Sequence, residues 1–267
     1  MCLIAAIHKL ANALMLGTVV FLLAKTGRAN TYNFWTTNTA AVGTDLVALK
    51  VTFITSSNQI EVRITNLELN PIKETQAVAS VDFLLAGFSG GQPQPTGIAL
   101  KTNLATDPNL GYVVNFAASH DNSYTTAALT TAPANAWGIS TTTRLLSGGT
   151  QITAINGGSP DYLIIGKSTN PTQYVGANNA VPGHSPFLGT DPNDYIAFTL
   201  TYAANSGITA NTAISTSTMP MVDFGTAFLA GQELSLTDQP EPATVAMMLG
   251  GLGLILIGAR RRREPKA

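Results

Sequence analysis

The feature that most constrains this chain is a hydrophobic period of two. Across residues 194–202, Ile196, Phe198, Leu200 and Tyr202 alternate with Ala197, Thr199 and Thr201. Across 59–66, Ile60, Val62 and Ile64 alternate with Glu61, Arg63 and Thr65. Successive side chains of an extended strand point to opposite faces, so each run buries one face and leaves the other wet, as in an antiparallel sheet. Residues 46–54 pair with 59–66 across Thr55-Ser56-Ser57-Asn58, whose residue types form turns. Further strands are expected at 78–85, 111–118, 151–155, 162–165, 219–224 and 226–229, with a bend at Gly225. No run carries a convincing amphipathic helix, so the fold expected is all-β: an antiparallel β-sandwich, jelly-roll-like, with strand order left open. Residues 87–97, with Gly90-Gly91 and two prolines, form a loop, and 119–143, rich in Thr and Ala, is expected to be irregular. A turn is expected at Gly157-Gly158-Ser159-Pro160. Residues 168–193 make the longest Asn-, Pro- and Gly-rich stretch, the first place to look for binding.

Charge narrows the partners. Residues 30–239 hold six basic residues (Lys50, Arg63, Lys73, Lys101, Arg144, Lys167) against thirteen Asp and Glu, a net charge of −7. Nucleic acid needs a concentrated basic surface and is not an expected partner. Cys2 is the only cysteine, so a disulfide framework or cysteine-based zinc site is excluded from this body, which must be held by packing.

Both ends are unlike the middle. Residues 1–29 read as a secretory signal peptide: His8 and Lys9 precede an apolar run at 10–24, and Gly27 and Ala29 are the small residues of a cleavage site before Asn30. Leu3 to Ile7 are also apolar, so alternatives are a start at Met15 or an uncleaved anchor. At the other end, Pro240-Glu241-Pro242 is followed by an uncharged run, 243–259, and then by Arg260, Arg261, Arg262 and Arg263. As a helix the run would span about 25 Å, slightly less than a bilayer's hydrocarbon core of roughly 30 Å. It is expected to form one short transmembrane helix, with the arginine cluster on the cytoplasmic side. The two prolines prevent the helix from extending back into the body, because each lacks a backbone donor.

This tripartite end resembles the PEP-CTERM sorting signal of Gram-negative bacteria. The resemblance covers Pro240, Glu241 and Pro242, the run 243–259 and Arg260 to Arg263; Glu264-Pro265-Lys266-Ala267 is an extra tail. It implies that exosortase, a membrane-embedded protease or transpeptidase, reads the signal, and that the protein accompanies exopolysaccharide or biofilm production. The stretches 161–166, 183–188, 196–200 and 222–226 also look like bodies of this class, which supports a β-sandwich and transfers no catalytic residue.

No chemistry-bearing motif stands out in the body. His120 and His184 are its histidines, neither within a Gly-x-Ser-x-Gly elbow, and the thirteen acids select no glycosidase pair. Asp191, Asn193 and Asp194 are a weak calcium candidate, without the loop that would complete an EF-hand. Aromatic rings can cover the apolar face of a sugar, and Tyr124, Trp137 and Tyr174 are the aromatic candidates expected in loops; the competing reading of Trp137 is a buried core residue.

The resulting expectation is a signal peptide at 1–29, an extracytoplasmic sandwich at 30–239 and a sorting segment at 240–267. The protein is expected to pass through the Sec translocon and to lodge transiently in the inner membrane with its body in the periplasm. Exosortase then releases it to the cell surface or extracellular matrix, in a structural or adhesive, non-enzymatic role without a cofactor. A carbohydrate-binding module is the alternative, and a secreted hydrolase the third.

Overall fold

The computed structural model describes residues 29–37, 40–69, 71, 73–89, 91–103, 105–118, 121–133, 136–140, 145–154, 162–170, 172–174, 187–188, 194–225 and 232–238. The signal-peptide segment, the turn at 157–160, the strand expected at 226–229 and the whole sorting segment lie outside them. Within them the chain is all-β, and its one helical element is a 3-10 turn, Glu74–Gln76.

In chain order the strands are β1 (Asn30–Trp35), β2 (Ala41–Val42), β3 (Asp45–Leu46), β4 (Leu49–Ser56), β5 (Gln59–Asn66), β6 (Val78–Phe83), β7 (Gly97–Leu100), β8 (Tyr112–Ala118) and β9 (Asp121–Ala128). There follow β10 (Gly138–Ser140), β11 (Thr150–Thr153), β12 (Ile164–Ile165), β13 (Phe187–Leu188), β14 (Ile196–Thr201), β15 (Met221–Phe224), β16 (Glu233–Ser235) and β17 (Thr237–Asp238). One large sheet runs β17-β1-β4-β5-β14-β7; the other runs β10-β11-β6-β12-β13-β8-β9, with β15 attached to β6 and β16 to β15, and β2 and β3 pair as a small third sheet. Pairing is antiparallel except between β12 and β13.

The period-two reading holds where it was clearest. Ile60, Val62 and Ile64 of β5 stand opposite Leu200, Phe198 and Ile196 of β14, and all six are fully buried. The sheets face each other across one core, where the Phe53 ring of β4 lies 4.8 Å from the Phe83 ring of β6. Asn66 ties the two sheets by a polar route: its Nδ2 donates to Ile164 O at 3.0 Å and to Gln76 O at 2.8 Å, and its Oδ1 accepts from Glu68 N at 3.0 Å. A buried amide with those groups paired fixes the relative placement of the sheets without the penalty of an orphaned dipole.

Several boundaries differ from expectation. The β4–β5 hairpin closes through two residues, Ser57 and Asn58, rather than four, with Ser56 paired to Gln59. Asn58 takes φ 57°, a left-handed conformation that asparagine tolerates, which is how so short a turn closes. The stretch expected to be irregular contains β9 and β10. In β9 only Tyr124 has a described, buried side chain, while Thr125 to Ala128 are exposed. An outer strand of Thr and Ala needs no apolar alternation, and this hid it. β1, outside the expected strands, pairs with β17, bringing residues 34 and 35 beside 238 and 237. Gly225 takes φ 87° next to a register shift at Asp223/Phe224, the expected bend.

Candidate functional site

The outer face of the sheet containing β1, β4, β5 and β14 carries a polar groove. Register dictates its content: Asn33, Thr52, Arg63 and Ala197 lie side by side across the four strands, and Thr31, Ile54, Glu61 and Thr199 form the next row. These are the residues left outward when the apolar set turns inward. The groove encloses about 370 Å³ and is lined chiefly by Asn33, Lys50, Thr52, Arg63, Asn109 and Tyr195.

Arg63 is held by a ring and a carboxylate. Its guanidinium carbon sits 4.2 Å from the centre of the Tyr195 ring, and its Nε donates to Glu61 Oε1 at 2.5 Å. Glu61 in turn takes Lys101 Nζ at 3.1 Å on its other oxygen. Tyr195 donates its hydroxyl to Asp107, and its backbone N–H donates to Asn109 O at 3.0 Å. Burial alone would raise the Asp107 pKa, but the Tyr195 hydroxyl, the Asn109 amide, Lys101 and Arg63 outweigh it and hold the carboxyl below its ordinary value. Burial and the bond to Asp107 push the Tyr195 phenol up, so it stays a neutral donor. On the neighbouring strands Thr52 Oγ1 donates to Asn33 Oδ1 at 2.7 Å, which turns the Asn33 amide so that its NH₂ remains a donor. Lys50 Nζ lies 5.1 Å from the centre of the Trp35 ring.

The aromatic candidates from the sequence are placed elsewhere. Tyr174 is 1% exposed and donates its hydroxyl to Gly166 O at 2.8 Å, while Tyr124 lies in strand β9, not a loop, and packs 4.7 Å from the Tyr174 ring. Trp137 is 7% exposed, with its ring 4.8 Å from Phe198 and its Nε1 donating to Tyr162 O at 2.9 Å. It borders a cavity of about 470 Å³ with Leu100, Pro133 and Phe198. These rings pack mainly inward, and they do not converge on one surface. Of the weak calcium candidate, Asp191 and Asn193 lie outside the described residues, as do His120 and His184; Asp194 is half-buried beside Tyr195.

A second polar layer lies on the far side of β6. Ser80, Asp82, Gln151 and Asp223 share one face there and are fully buried, with Gln151 Nε2 donating to Ser80 Oγ at 3.2 Å. Leu146 N donates to Asp82 Oδ2 at 2.8 Å. Among the described residues neither carboxylate oxygen of Asp223 has a well-aligned hydrogen bond, and its partner across the ladder is Glu233. Burial, then the Glu233 charge, push the Asp223 carboxyl up to about 7, and the Phe224 amide offsets only part of this.

Neither feature by itself says where the protein works; the C-terminal segment does. A family model for the PEP-CTERM protein-sorting motif matches residues 240–263. The chain is a PEP-CTERM protein. No curated protein and no solved structure matches this PEP-CTERM protein. The motif implies processing by exosortase, a transient membrane anchor, and export to the surface or beyond. Pro240, Glu241, Pro242 and Arg260 to Arg263 all fall inside the match. Among the described residues no helix of this PEP-CTERM protein is long and apolar enough to cross a membrane; the apolar run 243–259 lies outside them.

Proposed function

We propose that this PEP-CTERM protein is a non-enzymatic component of the cell surface or extracellular matrix, with a structural or adhesive role alongside exopolysaccharide. The observation that carries the reading is the sorting motif at 240–263 attached to a β body whose charge, −7 over residues 30–239, suits a soluble exported domain more than a nucleic-acid binder. The body crosses the inner membrane through the Sec translocon and stands in the periplasm while the helix at 243–259 holds it. Arg260 to Arg263 keep the other end inside. Exosortase acts at Pro240-Glu241-Pro242 and releases the body.

A carbohydrate-binding role is a second reading, favoured by the groove at Arg63 and Asn33 rather than by Trp137, Tyr124 and Tyr174. The two readings are compatible, since adhesion to a polysaccharide matrix requires a surface that grips it. The test is a strain lacking this chain: its matrix is expected to lose cohesion under shear, with recovery when the full chain is restored. Unchanged cohesion, with the protein demonstrably present at the wild-type surface, would sink the adhesive role.

A further inference from the structure

We propose that the outer-face groove is a binding site for a carboxylate-bearing saccharide, a uronate unit of an acidic polysaccharide, with Arg63 taking the carboxylate and Asn33 a ring hydroxyl. The inference rests on the matrix reading only for where such a ligand comes from.

Charge is the first argument. The groove lining includes two cations, Lys50 and Arg63, and no carboxylate, within a body whose net charge is −7. An anion is therefore drawn to this part of a protein that otherwise repels it. Two acids border the groove without lining it: Glu61 pairs with Arg63 and Lys101, and Asp107 accepts from the Tyr195 hydroxyl and lies 3.6 Å from Lys101 Nζ.

Preorganisation is the second. Stacking on Tyr195 and the Nε bond to Glu61 fix the plane of the guanidinium before any ligand arrives. Nε is its only hydrogen-bonding nitrogen among the described residues, and the side chain is 29% exposed, so both terminal nitrogens are available. Two parallel N–H donors in a fixed plane match a carboxylate, and fixing them beforehand lowers the entropic cost of binding.

The neighbours supply the third argument. Asn33 presents its NH₂, and Thr31, Thr65 and Asn109 add hydroxyl and amide groups along the same groove. A ligand with one carboxylate and several hydroxyls satisfies this set; an acidic peptide leaves the hydroxyl-matching groups without partners. The volume of about 370 Å³ falls within the roughly 300–1,000 Å³ typical of small-ligand sites.

The experiment is calorimetric titration of the full chain, purified in a detergent without a sugar headgroup. The probes are a galacturonate oligomer, a neutral galactose oligomer of equal length, and oligoglutamate. The uronate oligomer is expected to bind, with affinity falling as salt rises, and the other two to bind about tenfold more weakly or less. Arg63→Gln should weaken uronate binding by about ten- to a hundredfold, and Arg63→Lys, which keeps the charge but not the fork, should also weaken it. Lys73→Gln, whose ammonium pairs with Asp45 at 2.7 Å away from the groove, should not. Unfolding midpoints check that each variant is folded, and if Arg63→Gln is not, Asn33→Ala with a several-fold loss takes its place. The proposal is overturned by no uronate binding, by equal binding of the neutral or peptide oligomer, or by undiminished affinity in the folded Arg63 or Asn33 variants. Any of these would leave the surface address intact, because cell fractionation measures it separately.

Discussion

Asp223→Asn isolates what a buried carboxyl does to this fold. Asp223 is fully buried on β15, facing Glu233, with no well-aligned hydrogen bond among the described residues, and its pKa is pushed up to about 7 from an ordinary value of 3.8. Between those values the unfolded chain has released the proton while the folded chain keeps it, so stability falls as pH rises from about 4 to about 7 and then levels off. At about 1.4 kcal/mol per pKa unit, this shift amounts to about 4 kcal/mol. Asparagine has nearly the same shape and no proton to lose. The variant is therefore expected to match the parent near pH 4 and to exceed it by up to about 4 kcal/mol at pH 8. Asp45, lowered chiefly by its bond to Lys73, and Asp107 contribute stability that is lost as pH falls through the acid range, the opposite sense. Glu68, raised by burial, acts in the same sense as Asp223. All three are present in both proteins, so they cancel in the difference. Urea unfolding of the full chain at several pH values from 4 to 8 reads it out. A difference between variant and parent that stays constant across that range would refute the reasoning.

Further predictions concern packing and sorting. Gly166→Ala would place a Cβ 1.8 Å from the Glu68 carbonyl oxygen, a backbone atom, and is expected to cost upward of about 3 kcal/mol in urea unfolding. Trp137→Ala removes the contact with Phe198 and the bond to Tyr162 O, and should destabilise by about 3–5 kcal/mol in the same assay. Replacing Pro240 and Pro242 by Ala should leave membrane insertion intact and block processing, seen as a persistent full-length band in the membrane fraction. Neutral residues at Arg260 to Arg263 should impair retention or reverse orientation, read by protease protection of the body.

How much could be read beforehand follows from where the physics is local. The β5 and β14 strands were legible because one face of each is buried and the other is not, so Ile60, Val62, Ile64, Ile196, Phe198 and Leu200 carry the period of two in the sequence itself. β9 was not, since its exposed Thr and Ala positions carry no such period. β6 is buried along its full length, and its Ser80 and Asp82 look solvent-facing until the polar layer over them is seen. The groove was invisible for a related reason: Asn33, Thr52, Arg63 and Tyr195 come from four separate segments, and only strand register brings them together. Ring chemistry says nothing about burial, so the positions of Trp137, Tyr124 and Tyr174, at 7%, 8% and 1% exposed, were not legible from residue type alone. The sorting motif was read directly because its three parts are contiguous in the chain and owe nothing to tertiary structure.

The sorting claim is tested most directly by intact-mass measurement of the protein from fractionated cells, with and without exosortase. With the enzyme, the surface or matrix fraction is expected to contain a body that has lost its C-terminal apolar helix and arginines; without it, the protein should remain in the membrane with that end intact. Full-length chain in the cytosol of both strains, untrimmed at either end, would contradict the account.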